Sequence, residues 1–230
     1  MKIIRFAFTM MIFAGLINNA SAGVSLGQTR LVYPQEANSK TITLRNSGSD
    51  VYLVQAAVTD WETNEPVKDF TVLPPIFRLE SHSSNALRVV RTGGNFPLDR
   101  ESIFHLRINA IPSRTAPEMD QIGASLSISL GMGIKLFYRP EGLTMAPNEA
   151  YGRLTFQRRG QFIAATNPTP YYLTLSHLSF GGVSVDLDKT HTMIPPFSEI
   201  NYPSASGSKA EWTTITDFGG KSDVFYATIK

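Results

Sequence analysis

The chain has 230 residues, with 21 basic and 19 acidic side chains and no cysteine. The missing cysteine excludes disulfides, thiol nucleophiles and thiolate metal sites, and a near-neutral charge without a basic tract argues against a nucleic-acid partner. Lys2 and Arg5, the apolar run 6–17 and the small residues Ala20-Ser21-Ala22 read as a secretory signal over 1–22, with Gly23 as the mature start. Removing it takes two basic residues and no acidic one, so the mature chain is electrically balanced. No later segment approaches the roughly 18 consecutive apolar residues of a membrane span, so no stable membrane insertion is expected. Export without cysteine fits a bacterial periplasm better than a small disulfide-stapled ectodomain.

Short segments rich in Val, Ile, Thr, Tyr and Phe then recur between turn clusters, and none holds a helical period over three turns. The expected strands are 24–33, 41–45, 52–60, 70–79, 85–91, 102–110 and 126–138, punctuated by Asn46-Ser47-Gly48-Ser49-Asp50, Pro74-Pro75 and Thr92-Gly93-Gly94-Asn95. Seven strands in about 115 residues is the count of an immunoglobulin-like sandwich. Arg139-Pro140-Glu141-Gly142 stops the last of them. A second series follows at 153–158, 161–165, 172–180, 183–187, 198–202, 210–216 and 224–229. The expectation is an all-β protein of two domains, 23–142 and 143–230.

The strand at 126–140 stands apart. Leu126, Ile128, Leu130, Met132 and Ile134 share one face, because successive side chains of a strand alternate. The opposite face carries only Ser127, Ser129, Gly131 and Gly133, and then Lys135 interrupts the apolar run. Such a comb raises the question of what its teeth enter.

The sequence carries little that points to catalytic chemistry. His82, His105, His177 and His191 are scattered without metal-ligand spacing, and His105 reads as a solvent-face or internally satisfied strand residue. Gly131-Met132-Gly133 lacks the third glycine and the helix of a dinucleotide loop, and there is no Gly-x-Ser-x-Gly elbow. The expectation is no enzyme and no cofactor. Two cations in otherwise apolar strands remain, Arg30 and Lys135. Periodicity alone favours solvent-facing positions for them; the sharper reading is a cleft that holds an anion such as a carboxylate. Glu101, Arg139 and Asp217 form a further set of charges at strand ends and turns, which periodicity alone reads as unrelated surface groups.

Taken together, several blocks resemble the periplasmic chaperones of the chaperone–usher pathway. They are Pro97-Leu98-Asp99-Arg100-Glu101-Ser102-Ile103-Phe104 running on to Ala110-Ile111-Pro112, then Ile134-Lys135-Leu136-Phe137-Tyr138-Arg139-Pro140, then Asn167-Pro168-Thr169-Pro170-Tyr171-Tyr172, with Thr29-Arg30 and Asp217-Phe218-Gly219-Gly220. The resemblance covers essentially the whole mature chain. It implies two immunoglobulin-like domains in a boomerang and an ATP-independent chaperone for pilus or fimbrial subunits, which it hands to an outer-membrane usher. It further implies that Arg30 and Lys135 anchor a subunit's terminal carboxylate. Leu126, Ile128, Leu130 and Met132 would be lent to a subunit whose fold lacks its last strand. Glu101, Arg139 and Asp217 would form salt bridges between the domains. The sequence leaves open whether free molecules cap their donor strands by self-association.

The chain departs from that pattern in places. The loop 113–125 is slightly longer than expected of the short-loop subgroup, but it lacks the cysteines of the long-loop subgroup, so the short-loop assignment is favoured. Gly131 and Gly133 lower strand preference behind the comb. Two other readings compete with the chaperone: a two-domain immunoglobulin-like adhesion or structural module, in which comb and cations are ordinary core and surface, and a periplasmic hydrolase.

Overall fold

The computed structural model describes residues 23–113, 128–203 and 207–230. The expected signal at 1–22, most of the 113–125 loop, and Leu126 lie outside the described residues. Among those described, strands dominate and one short helix occurs, giving two β-sandwiches with separate cores.

In the first sandwich, β1 (Val24–Leu26), β3 (Lys40–Asn46), β7 (Ser84–Arg91) and β5 (Phe70–Leu73) make one sheet, in the order β1-β3-β7-β5. The facing sheet has the order β2-β9-β8-β4-β6, from β2 (Arg30–Pro34), β9 (Leu130–Arg139), β8 (Ser102–Pro112), β4 (Tyr52–Asp60) and β6 (Ile76–Leu79). Alternation fills the space between them: Ile42 and Leu44 from β3, Val54, Ala56 and Val58 from β4, and Leu106, Ile108 and Ala110 from β8 are all buried.

Two segments expected as single strands are each split between the sheets. The segment 24–33 breaks at Gly27-Gln28-Thr29, leaving β1 in one sheet and β2 in the other. The segment 70–79 breaks at Pro74-Pro75, where two residues without a backbone N–H cannot continue a ladder. Alternation is a local signal and does not register a change of partner sheet. The break at Gly27 has a consequence for the site, because it starts β2 at Arg30 and sets β2 parallel to β9, with Arg30 opposite Lys135 and Pro34 opposite Arg139.

The second sandwich begins after a single helical turn, α1 (Pro147–Ala150). One sheet is β10 (Thr155–Arg159), β11 (Phe162–Asn167) and β15 (Ser198–Pro203). The other has the path β13 (Val183–Ser184), β12 (Leu173–Phe180), β16 (Lys209–Thr214) and β17 (Phe225–Thr228), with β14 (Met193–Ile194) also on β12. Phe180, Tyr202 and Trp212 fill its core. The sequence did not announce β14 or α1, each too short to show a period.

A buried asparagine builds the loop between β11 and β12. Asn167 is fully buried. Its side-chain nitrogen lies 2.7 Å from the Tyr171 carbonyl, 2.9 Å from Pro195 O and 3.1 Å from Ile194 O. Its Oδ1 accepts from the N–H (3.0 Å) and hydroxyl (2.7 Å) of Thr169. The prolines at 168 and 170 remove two donors that this loop would otherwise have to satisfy. The loop is thereby fixed, and it aims the Tyr172 N–H at the first sandwich. Replacement Asn167→Ala leaves buried carbonyls without donors, so it should cost the second sandwich about 2–3 kcal/mol, read as a lower midpoint for its transition in urea.

Candidate functional site

Strand β9 carries the site, and its two faces and two edges divide the work. On the inward face Leu130, Met132, Ile134, Leu136 and Tyr138 lie opposite Ala110, Ile108, Leu106, Phe104 and Ser102 of β8. Burial along this row is graded. Leu136 and Tyr138 are buried, Ile134 is 9% exposed, Met132 is half-buried against the first core, and Leu130 is 37% and Ile128 66% exposed. The inner teeth of the comb thus complete this domain's own core, while the outer teeth emerge from it. The observed strand begins at Leu130.

The edges differ as sharply. β8 pairs with β9 from Leu130 to Tyr138 on one side. On the other, β2 covers only Lys135 to Arg139. From Leu130 to Ile134 that second edge has no strand partner among the described residues. Arg30 and Lys135 stand where the covered half meets the open half.

Both cations point away from the first core and toward the second sandwich, contrary to the solvent-facing reading from periodicity. Arg30 is 7% exposed, its Nη1 donates to the Ile215 carbonyl at 3.0 Å, and its Nε is buried without a partner. Its guanidinium lies 5.7 Å from the Phe137 ring centroid. Burial lowers its pKa, against the neighbouring charges of Asp217 and Glu101. Lys135 Nζ lies 3.4 Å from Thr174 Oγ1 and 5.7 Å from the centroid of Trp61. Burial first, and then the charge of Arg30, push its ammonium down to about 8. Neither cation forms an ion pair among the described residues. Two adjacent, half-desolvated cations that lack a direct ion pair among the described residues form a site that an anion would stabilise.

A cleft of about 900 Å³ opens beside Lys135 between the sandwiches, lined also by Trp61, Phe104, Tyr172 and Met193. Trp61 stacks on His105, with ring centroids 4.1 Å apart, and His105 lies directly opposite Lys135 across β8 and β9. His105 Nδ1 is buried without a partner, and burial lowers the histidine's pKa. His105 is therefore part of the wall that dries one side of Lys135.

Four residues further along β9, Arg139 ties the sandwiches together. Its Nε donates to Glu101 Oε1 at 2.8 Å, and its Nη1 and Nη2 donate to the two carboxylate oxygens of Asp217 at 2.7 and 2.9 Å. Glu101 is 3% exposed; its Oε2 accepts the Tyr172 N–H at 2.9 Å, and its own N–H donates to Pro170 O at 2.9 Å. Burial drives the Glu101 carboxyl up to about 7, opposed by Arg139 and the Tyr172 N–H. Burial works against the Arg139 charge too, but Asp217 and Glu101 outweigh it and hold the guanidinium more basic than an ordinary arginine. Arg139 also lies 5.0 Å from the Tyr171 ring centroid. The three charges read from the sequence are thus brought together. The backbone groups of Pro170, Tyr172 and Ile215 were not anticipated; the Asn-Pro-Thr-Pro-Tyr-Tyr block was the signal for the first two.

Residues 23–144 match the family described as pili and flagellar-assembly chaperone, PapD N-terminal domain, and residues 149–226 match pili assembly chaperone PapD, C-terminal domain. The chain belongs to this chaperone family. It is 35% identical over 218 residues to the chaperone protein FimC of Escherichia coli K12, covering 92% of this chain and 86% of that one. Against the E. coli chaperone protein AggD it is 32% identical over 226 residues, covering 93% and 88%. Among solved structures it is similar to the E. coli chaperone DraB, with 39% identity, a TM-score of 0.81 and coverage of 90% and 97%. It is also similar to a chain in the structure of the Salmonella enterica SafA pilin in complex with the SafB chaperone, with 33% identity, a TM-score of 0.79 and coverage of 90% and 96%.

Removing Arg139 strands a buried carboxylate, so Arg139→Ala should destabilise the folded protein by about 3–5 kcal/mol. Glu101→Gln keeps the buried volume and removes the charge, and should cost less than half as much. Equilibrium unfolding of both variants checks the order, and equal losses would contradict it.

Proposed function

We propose that this protein is an ATP-independent periplasmic chaperone that captures pilus or fimbrial subunits by lending them the outer half of β9 and delivers them to an outer-membrane usher. The observation that carries the reading is the coincidence at Lys135 of three features among the described residues: an open strand edge, an exposed pair of apolar teeth, and two cations without a direct ion pair. A subunit lacking a strand exposes an apolar groove flanked by unpaired backbone groups, which invites aggregation. A lent strand supplies both the missing hydrogen bonds and the missing side chains.

The geometry supports a definite direction for the guest. A subunit strand that lies along the edge 130–134 and places its terminal carboxylate on Arg30 and Lys135 must run parallel to β9. It then ends where β2 begins, so guest and β2 lie end to end along one edge. Burying the exposed parts of Ile128 and Leu130 contributes about 2–4 kcal/mol. The hydrogen bonds of the edge add about 1 kcal/mol each. Leu126 and Met132 complete the proposed donor set, with Met132 already half committed to this domain's own core. The carboxylate anchor fixes register, since a one-residue slip turns every side chain to the wrong face.

Glu101, Arg139 and Asp217 hold the cleft's two walls in place in this reading, with the division between domains falling at Gly142. Nothing in the site suggests hydrolysis: His105 is packed on Trp61, and the chemistry on display is anion binding. An adhesion or structural module would have no use for buried cations left unpaired.

Lys135 carries a measurable trade-off. Its folded pKa lies below the value of 10.5 for an unhindered lysine, so charging it in the fold costs stability. That cost is fully present below about pH 8 and fades as pH rises toward the unfolded value. Lys135→Met should therefore raise the melting temperature of the free protein at pH 7, with the gain shrinking toward pH 10, while subunit capture is lost on co-expression. A variant that is less stable yet still captures subunits would contradict the anchor role.

A bound carboxylate raises the Lys135 pKa, so the affinity for a carboxylate-ended strand is held below pH 8 and falls as the ammonium deprotonates above it. Titration of a subunit's terminal peptide across pH 7 to 10 reads this directly, with the C-terminal amide of the same peptide as the pH-insensitive control.

Leu130→Glu should leave the chaperone folded, because this side chain is partly solvated, and should abolish capture. Circular dichroism and co-purification of the subunit from the periplasm separate these two effects.

A further inference from the structure

Arg30 and Lys135 are two members of a longer row. Across the outward face of the first sandwich, Thr59 of β4 pairs with His105 of β8, His105 with Lys135 of β9, and Lys135 with Arg30 of β2. Neighbours in such a row have their Cβ atoms about 5 Å apart, so His105 stands directly behind the anchor, on the side away from β2. It is half-buried, its ring is stacked on Trp61 at 4.1 Å, and its Nδ1 is buried without a partner. Thr59 is 5% exposed, and its Oγ1 is without a partner too. A dry wall that leaves two polar atoms unsatisfied is unfavourable, and such atoms ask for an explanation. The imidazole is also the one group of the row whose charge ordinarily changes just below pH 7.

We propose that His105 is a positioning residue that takes up a proton under mildly acidic conditions and thereby tightens the grip of Arg30 and Lys135 on an anion. The inference rests on the anchor reading above and adds its regulation. In the free protein burial, and then the charges of Arg107 on its own strand and Lys135 on β9, hold the His105 pKa below the ordinary value, while the backbone and carboxylate of Asp60 work the other way. An anion lodged between Arg30 and Lys135 offsets the repulsion from Lys135, so the ring accepts its proton more readily once the anchor is filled. Linkage makes the effect reciprocal, and a protonated His105 strengthens anion binding by the same factor. Trp61 accommodates the charge, because the face of an indole attracts a cation. The other charged or titratable groups facing the cleft beside Lys135 are Glu62, Asp69, Arg100 and Glu101 from the first sandwich, and Tyr172 and His191 from the second. Glu101 is the one to separate from His105, since burial drives its carboxyl up to about 7 and its protonation would also leave the neighbourhood more positive.

The test uses the full protein and the terminal peptide of a co-purified subunit, as the free acid and as the C-terminal amide. Affinity is followed from about pH 7.5 down to about pH 5, a range in which the peptide's carboxylate stays ionised. On top of the level that a charged Lys135 already sets, the free acid should bind about three- to tenfold more tightly at the acidic end, and the amide should not. NMR of the wild-type protein reads the His105 imidazole, recognised by its contact with the Trp61 ring, and saturating free acid should move its titration to higher pH. His105→Phe keeps a ring on Trp61 but binds no proton, so the acid-side gain should disappear, whereas Glu101→Gln should retain it. A flat profile in the wild type, a gain that survives His105→Phe, or a His105 titration that the peptide leaves unmoved would overturn the proposal, although a preference for the free acid at pH 7.5 still upholds the anchor. A gain lost in Glu101→Gln and kept in His105→Phe assigns the proton to the buried carboxyl instead. If the amide binds as well as the free acid at pH 7.5, or neither binds, the anchor itself fails and the role of His105 falls with it.

Discussion

Everything about the site depends on one constraint: β9 is hydrogen-bonded along one edge for its whole length and along the other for only half of it. The half between β8 and β2 is an interior strand, buried and fixed. The other half offers backbone donors and acceptors that no strand pairs among the described residues, and edges of that kind are ordinarily blunted or covered. Here the sequence places apolar teeth on one face of the open half and glycines on the other, which makes the edge more receptive rather than less.

The rigid half makes the open half usable. Arg139 fastens β9 to both Glu101 and Asp217, and Phe137 is buried with its ring 5.9 Å from that of Tyr172. This side of the strand is therefore clamped between two domains before any guest arrives. Preorganisation of that kind reduces what binding must spend on ordering. It also lets the fold tolerate Arg30 and Lys135 in a half-dry cleft without a direct ion pair among the described residues. The resulting instability is local, and an anion placed between the two groups would relieve it.

Much of this was legible in the sequence, though unevenly. The alternation in 126–138 and the odd position of Lys135 are short-range patterns, and they pointed to the strand that the structure leaves half open and to the cation at its midpoint. The splitting of 24–33 and 70–79 was not legible, because a strand keeps its alternation while it changes sheets. Periodicity turned Arg30 and Lys135 toward solvent; it reports only that they face away from the first core, and the second sandwich occupies that side. Glu101, Arg139 and Asp217 are far apart in sequence, and only their resemblance to a family pattern joined them before the fold did. The backbone donors and acceptors at Pro170, Tyr172 and Ile215 leave no mark on residue type at all. Trp61 sits in a loop with no period to announce it, yet it forms the roof over Lys135.

The most direct measurement is amide hydrogen exchange along β9 in the free chaperone and in its complex with a co-purified subunit. Strand donation predicts two regimes in the free protein, with fast exchange at 130–134 and slow exchange at 136–139, and protection of the whole strand once a subunit is bound. Uniform protection of β9 in the free protein, or exchange at 130–134 that a bound subunit leaves unchanged, would contradict it.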